Sequence, residues 1–405
     1  MILVKLALYT LGCKVNRYDT QLMEEALAAS GYIIVRWGEA ADIYLVNTCT
    51  VTARSDRKSR KAILEAHRMN PRAPIFVAGC YAVRCKSLLE ALPGVAAAGA
   101  ADDVLGALGA GPAGRRITRF TGRSRPFVMV QTGCNRFCSY CIVPHVRGRS
   151  RSRPPGDVAG EVSGLVEAGY REIVITGICL GDYTCEGKGL VSLLETLESI
   201  GGLGRIRLSS IEPDSISDEL LELIAGSPKL CRHLHIPFQS GDEGVLAAMR
   251  RPYTASFYRD LIGRIRKRVP GAGISADIIV GFPGETEEAF RRTVELVREA
   301  VPVRVHIFPY SPREGTPAAA MGGRPPRDEV KKRRDLLRDA TAEESFSFRS
   351  GFLGSTQDVL IEDHSGYTSN YIRVEVEGTE ARTGELVPVR ITEVTREVTR
   401  GVPAA

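Results

Sequence analysis

Eight residues, Cys134-Asn135-Arg136-Phe137-Cys138-Ser139-Tyr140-Cys141, carry three cysteines spaced C-x3-C-x2-C. Thiolates hold iron–sulfur clusters, and ligands this close in sequence reach one cluster from one loop. A 4Fe–4S cube takes four ligands and this loop supplies three, so one iron is left for an outside ligand. By analogy with zinc, an open position marks a catalytic metal rather than a structural one. Zinc sites usually pair two short cysteine or histidine elements, and no partner pair accompanies this loop.

Cys13, Cys49 and Cys80 form a second set with no short-motif spacing. Each directly follows an apolar run: Leu-Ala-Leu-Tyr-Thr-Leu-Gly-Cys13, Ile-Tyr-Leu-Val-Asn-Thr-Cys49 and Ile-Phe-Val-Ala-Gly-Cys80. If the runs are parallel strands of one sheet, their C-termini share an edge where ligands bind. Gly12 and Gly79 allow a sharp turn before two of the cysteines. Three buried, inert thiols would fit the same positions, but three matching strand ends in a chain with a cluster loop favour ligands. Cys85, Cys179, Cys185 and Cys231 receive no role and read as adventitious thiols.

These groups need scaffolds, and 405 residues allow two to four domains. Apolar content of 43% and charged content of 25% suit a soluble globular protein. No apolar run is long enough for a membrane span. The N-terminal apolar stretch lacks the basic region and small-residue cleavage site of a signal peptide, so it reads as a buried strand and the protein as cytoplasmic. Ten cysteines in such a chain point to metal or redox chemistry rather than disulfides. The net charge of +6 permits a nucleic-acid partner without establishing one.

The expected fold class is α/β in three parts. Residues 1–110 read as a small α/β unit with a parallel sheet, with strands at Leu6–Leu11, Ile43–Val46 and Ile75–Ala78. Helices are expected at Thr20–Ala29, Ala53–Arg68 and Cys85–Leu92, and Gly106–Arg125 as a linker. Residues 120–345 repeat a strand–helix rhythm six times, with strands at Phe127–Gln131, Glu172–Thr176, Arg205–Ser210, His233–Pro237, Ser275–Val280 and Arg304–Phe308. A full eightfold barrel needs ~250 residues, so a six-stranded partial barrel fits better. Asp328–Phe348 reads as a charged helix, with Lys331–Arg334 on a solvated face. Residues 350–405 read as a small all-β domain.

The first loop, with Tyr140 as its aromatic, resembles the signature of radical S-adenosylmethionine (SAM) enzymes. Thr10-Leu11-Gly12-Cys13-Lys14-Val15-Asn16 and Val46-Asn47-Thr48-Cys49-Thr50 resemble the N-terminal domain of methylthiotransferases. The C-terminal domain is similar to the TRAM nucleic-acid-binding module, so the resemblance covers nearly the whole chain. It implies two 4Fe–4S clusters and SAM as cofactors. Cys134, Cys138 and Cys141 would hold the SAM-binding, catalytic cluster. Cys13, Cys49 and Cys80 would hold an auxiliary one that carries the sulfur. It implies reductive cleavage of SAM to a 5′-deoxyadenosyl radical, which activates an inert C–H bond for methylthiolation. Cofactor contacts fall on Tyr140, Gly177, Ser210, Gln239 and Ile279.

The implied partners are tRNA, at its anticodon loop, and an electron donor such as flavodoxin or ferredoxin. RNA contacts are expected at Arg147, Arg149, Arg151 and Arg153, beside the cluster loop. Tyr371 and Arg373 are expected to contribute from the last domain. The Gly-Cys-Lys-Val-Asn and Leu-His-Ile-Pro-Phe-Gln-Ser-Gly segments look most like enzymes that methylthiolate C2 of N6-threonylcarbamoyladenosine 37. Alternatives are isopentenyladenosine 37 and a ribosomal-protein aspartate. From another class, a non-catalytic iron–sulfur RNA-binding protein would keep the clusters without needing SAM.

Overall fold

Short aliphatic and β-branched runs ending at glycine or a polar turn make every strand that matters for the site. The computed structural model describes residues 4–114, 116–378 and 382–404; Met1–Leu3 of the N-terminal stretch and Arg115 of the expected linker lie outside them. The described chain divides into two compact units. The first comprises residues 1–121, 132–151 and 311–319, and the second comprises 122–131, 152–310 and 320–405.

The first unit is built on a five-stranded parallel sheet: β1 (Lys5–Thr10), β2 (Ile33–Val35), β3 (Ile43–Thr48), β4 (Ile75–Gly79) and β5 (Val95–Gly99), in the order β2-β1-β3-β4-β5. Leu6, Leu45, Val46, Ile75 and Val77 are fully buried, as expected for a sheet covered on both faces. Three strands were legible as apolar runs; β2 and the alanine-rich β5 were not. The helix after Cys13 begins at Lys14, six residues earlier than its apolar periodicity suggests. Its first turns are held by polar groups: Asn16 is buried and donates to the carbonyls of Leu11 and Thr48. The helix after Cys49 starts where expected, because Thr52 accepts from the Ser55 amide and Asp56 complements the helix N-terminus. The expected linker is strapped down: Ile117 and Phe120 are buried, and Glu25 accepts from the Thr118 amide at 3.0 Å.

The second unit contains the six expected parallel strands: β6 (Phe127–Met129), β7 (Glu172–Thr176), β8 (Arg205–Leu208), β9 (His233–Gln239), β10 (Gly273–Val280) and β11 (Arg304–Pro309). They form two three-stranded sheets, joined where Ser210 bridges His235 and Ile206 bridges Leu230. This is the partial barrel, with helices such as Pro155–Glu167 and Glu287–Ala300 between strands. The last domain is a closed five-stranded barrel of β12 (Thr356–Ile361), β13 (Ser365–Thr368), β14 (Arg373–Val376), β15 (Leu386–Val394) and β16 (Thr399–Pro403). Closure removes the exposed edges that so short a sheet would otherwise present.

The small barrel docks at the N-terminal ends of the core strands. A Cβ on Gly273 would stand 2.0 Å from the Asn370 carbonyl oxygen. Arg205 donates to the carbonyls of Asp358 and Tyr367, and Arg207 to those of Thr368 and Ser369. Glu172, wholly buried, accepts from Arg207 Nε at 2.8 Å and faces Arg205 at 2.8 Å. The Arg-Ile-Arg-Leu strand was expected at Arg205–Ser210; its alternation turns both arginines onto one face, against the docked barrel. Arg333 is also not on a solvated face. It is buried and donates to the Glu285 carboxylate at 2.9 Å, while Lys331 and Lys332 remain exposed.

Candidate active site

In the first unit, parallel pairing of Thr10 with Asn47 and of Thr48 with Gly79 brings Cys13, Cys49 and Cys80 to one edge of the sheet. Gly12 has φ +110°, and a Cβ there would stand 3.0 Å from the Cys49 Cβ. Gly79 has φ +94°, and a Cβ there would lie 2.2 Å from Asn47 Oδ1 and 2.4 Å from the Thr48 carbonyl oxygen. The loops pass too close for any other residue at position 79. Asn47 donates to the Asn16 carbonyl at 2.8 Å and Thr48 Oγ1 to the Ala78 carbonyl at 2.6 Å. These buried polar side chains lash the three strand ends together, a role that their place in the quoted segments did not reveal.

The thiols feel one another. Burial pushes the Cys49 thiol up; the Val51 amide pulls it down and Cys13 pushes it further up. Burial also pushes Cys80 up; Arg147 lowers it, and Cys13 and Cys49 raise it. Three soft sulfur donors with mutually repelling thiolates suit an iron–sulfur cluster.

The Cys134–Cys141 loop is shaped by its flanks. Gly133 has φ +76°, and a Cβ there would lie 2.0 Å from the Arg149 carbonyl oxygen. The Cys134 amide donates to the Gly148 carbonyl at 3.1 Å, and the Cys141 amide to the Cys138 carbonyl at 3.0 Å. Phe137 takes the left-handed φ of 48°, with the Arg149 guanidinium 4.8 Å from its ring and His145 packed edge-on. The Ala318 amide donates to the Ser139 carbonyl. Cys138 is buried; Cys134, Tyr140 and Cys141 are half-buried.

The basic run after this loop splits by role. Arg147 turns inward: Nε donates to Cys80 Sγ at 3.3 Å, and Nη2 to Asn16 Oδ1 at 2.6 Å and Asp19 Oδ2 at 2.7 Å. It therefore ties the helix after one cysteine loop to Cys80 of the other cysteine set. Arg149 and Arg151 are exposed. Arg54, Arg57, Lys58 and Lys61, on the helix after Cys49, are exposed as well. Arg313, which no motif marked, is buried and donates to Thr50 Oγ1 at 2.9 Å and Asp56 Oδ2 at 2.5 Å.

In the second unit, Gly177 follows β7 with no space for a side chain: a Cβ would lie 2.9 Å from Gln131 Oε1. That oxygen accepts from the Cys179 amide at 2.9 Å, so buried Gln131 fixes the turn. Ser210 is half-buried where the two sheets meet. Gln239 ends β9 at a register shift with φ 64°, and Ile279 is half-buried on β10. Gly177, Gln239 and Ile279 thus stand toward the C-terminal ends of core strands, where ligands bind in parallel α/β folds. Glu212 is engaged by Tyr253 Oη at 2.7 Å and by Arg251.

The remaining expected RNA contacts are placed differently from one another. Arg153 pairs with Glu161 at 2.6 Å and donates to the Met129 carbonyl. Tyr371 stacks on His233 at 4.3 Å and on Tyr367 at 4.9 Å, under Arg207, in the seam with the core. Its ring is already covered on the docking side. Arg373 is exposed and donates to Ser365 Oγ.

Two family models match the chain: the radical SAM superfamily over residues 128–297, and the uncharacterized protein family UPF0004 over residues 5–98. The chain is 38% identical to the threonylcarbamoyladenosine tRNA methylthiotransferase MtaB of Bacillus subtilis, over 95% of this chain and 93% of that protein. It is 34% identical to a tRNA-2-methylthio-N(6)-dimethylallyladenosine synthase of Desulfitobacterium hafniense, over 94% and 93%. Among solved structures it resembles TsrM, a radical SAM methyltransferase from Kitasatospora setae, with TM-score 0.52 and 16% identity over 78% of this chain and 77% of that one. That likeness concerns the fold.

Proposed function

The chain belongs to the radical SAM methylthiotransferase family, and from that premise we propose that it methylthiolates C2 of N6-threonylcarbamoyladenosine 37 in tRNA. The observation that carries this reading is that all six candidate ligands, Cys13, Cys49, Cys80, Cys134, Cys138 and Cys141, fall in one compact unit. Two three-thiolate sets suit two 4Fe–4S clusters, each with an open iron. When bound, the clusters and SAM would supply the electron, the 5′-deoxyadenosyl radical and the methylated sulfur.

The chain's own residues have supporting tasks. Cys134, Cys138 and Cys141 would hold the SAM-binding cluster, with Gly133 and Phe137 fixing the loop. Tyr140 lies within the same loop. Gly177 would offer backbone to SAM, its turn braced by Gln131, while Ser210, Gln239 and Ile279 would line the cofactor. Cys13, Cys49 and Cys80 would hold the sulfur-carrying cluster beside Arg147. Arg149, Arg151 and the exposed cations on the Ala53–Met69 helix offer phosphate contacts, whose strength would fall with salt. Arg373 is the exposed basic candidate on the last domain. An electron donor such as flavodoxin or ferredoxin and a cytoplasmic location complete the proposal. The threonylcarbamoyl choice is supported by 38% identity to an enzyme named for that substrate, against 34% to one named for the dimethylallyl form.

Mass spectrometry of tRNA nucleosides from a deletion strain tests the substrate. Loss of the 2-methylthio-threonylcarbamoyl nucleoside is expected, and loss of the isopentenyl form alone would overturn it. With reconstituted protein, Cys13→Ala, Cys49→Ala and Cys80→Ala should still form 5′-deoxyadenosine while yielding no methylthiolated product. Product from all three would remove the sulfur-carrying role.

A further inference from the structure

The inner face of the second half of the core barrel carries a polar cluster with no task so far. His235 stands on β9, Asp277 on β10 and His306 on β11. Asp277 and His306 are register partners, and His235 pairs with Ser275, two residues before Asp277 on the same face. One ligand atom of each lies within 4.8 Å of the others. His235 Nε2 approaches Asp277 Oδ1 to 3.1 Å, yet it is buried without a hydrogen bond, because the approach lacks the required direction. The two imidazoles lie 5.6 Å apart. The side chains of His235 and Asp277 are 12% and 26% exposed, so solvent and ligands reach the group.

Its position along the strands is informative. Below it, toward the strand N-termini, His233 bonds Ser275 at 2.9 Å and stacks on Tyr371, which closes that end. Above it, toward the strand C-termini, stand half-buried Gln239 and Ile279 and Phe308, which is 44% exposed. The cluster therefore forms the polar floor of the face that leads down from the proposed cofactor residues.

A floor of two imidazoles and a carboxylate selects what covers it. Hydrocarbon offers a polar floor no hydrogen bond, at about 1–3 kcal/mol for each group left without one, and His235 Nε2 already lacks a partner. A site built to hydrogen-bond its substrate rejects an analogue lacking those groups far more strongly than an apolar pocket rejects one methylene. An isopentenyl substituent brings neither donor nor acceptor. A threonylcarbamoyl substituent brings a carboxylate for the imidazole N–H groups, and hydroxyl and ureido N–H donors for Asp277.

We propose that His235, Asp277 and His306 receive the threonylcarbamoyl substituent of the target adenosine and disfavour a prenyl one. This rests on the tRNA reading above and names its specificity residues. A divalent ion is the other occupant that this donor set suits. The amino-acid substituent matches both signs of the set, whereas an ion would use acceptors alone.

Binding of two synthetic anticodon stem-loops to the reconstituted holoenzyme, read by fluorescence anisotropy, tests the proposal. One carries threonylcarbamoyladenosine and the other isopentenyladenosine. Wild type should prefer the first by about tenfold or more. His306→Phe and the near-isosteric Asp277→Asn should each bring the ratio close to one. An unchanged ratio in both variants would overturn this inference and leave the substrate reading standing. A wild type that prefers the isopentenyl stem-loop would overturn the substrate reading itself. A stoichiometric divalent metal beyond cluster iron, found by elemental analysis and lost in Asp277→Asn, would overturn the inference in favour of an ion site.

Discussion

Arg147 Nε lies 3.3 Å from Cys80 Sγ, while Nη2 of the same guanidinium holds Asp19 at 2.7 Å. The cation lowers the Cys80 thiol against the upward push of burial, and its own proton is held more tightly by Asp19 and the thiols, against burial that would loosen it. Removing it strands the Asp19 carboxylate, which burial already pushes up.

Arg147→Met should therefore lower stability by about 2 kcal/mol. It should also reduce iron and sulfide bound per chain after anaerobic reconstitution, toward the value of a single cluster. Iron analysis of Arg147→Met beside Cys80→Ala makes the test. Full iron content in Arg147→Met would show that the guanidinium does not support the ligand set.

Gly79→Ala meets the Thr48 backbone at 2.4 Å and Asn47 at 2.2 Å, at a φ that side chains rarely adopt. Strain at such a φ alone costs about 1–2 kcal/mol, and the clash adds to it. Gly38→Ala, at φ +100° with nothing within 4 Å, pays only the first. The melting temperature should fall more for Gly79→Ala, and only that variant should lose iron. Equal losses would place the two glycines on the same footing.

Glu172 is held at about 2, because Arg207, Arg205 and Arg125 overcome the upward push of burial. A folded value below the ordinary 4.5 means that the stabilisation is complete above pH 4.5 and disappears as pH falls toward 2. Its size is on the order of 3 kcal/mol. Glu172→Gln should be less stable at pH 7, since three guanidiniums lose their counter-charge, and should show a shallower decline between pH 5 and 2. Urea unfolding of both proteins across that range decides, and parallel pH curves would contradict the assignment.

Gln131→Ala frees the Cys179 amide and removes the side chain against which Gly177 is packed. Affinity for SAM, measured by calorimetry on reconstituted protein, should fall about tenfold, the scale of a lost buried hydrogen bond. Iron content should not change. Unaltered affinity would detach the Gly177 turn from SAM binding.

Much of this was legible in the sequence because strands in parallel sheets are apolar runs. Most core strands and the strand-end cysteines followed from that, and the strand–helix rhythm marked the Arg-Ile-Arg-Leu strand. What escaped was polar and buried. Asn16, Asn47 and Gln131 each act on backbone from a position with no periodic signature, and Arg205, Arg207 and Arg333 read as ordinary charges until their partners were placed beside them. Tyr371 shows the converse: an aromatic on a small β domain suggested base stacking, and His233 covers its ring instead.

The segment 311–319 returns to the first unit after the whole core has been threaded. A ribosome releases all six candidate ligand cysteines long before it releases Arg313, which braces Thr50 and Asp56 behind Cys49. A nascent chain halted before that arginine would hold every thiol and an incomplete setting for them. The setting of these thiols is therefore complete only once residue 313 of the 405 has been made.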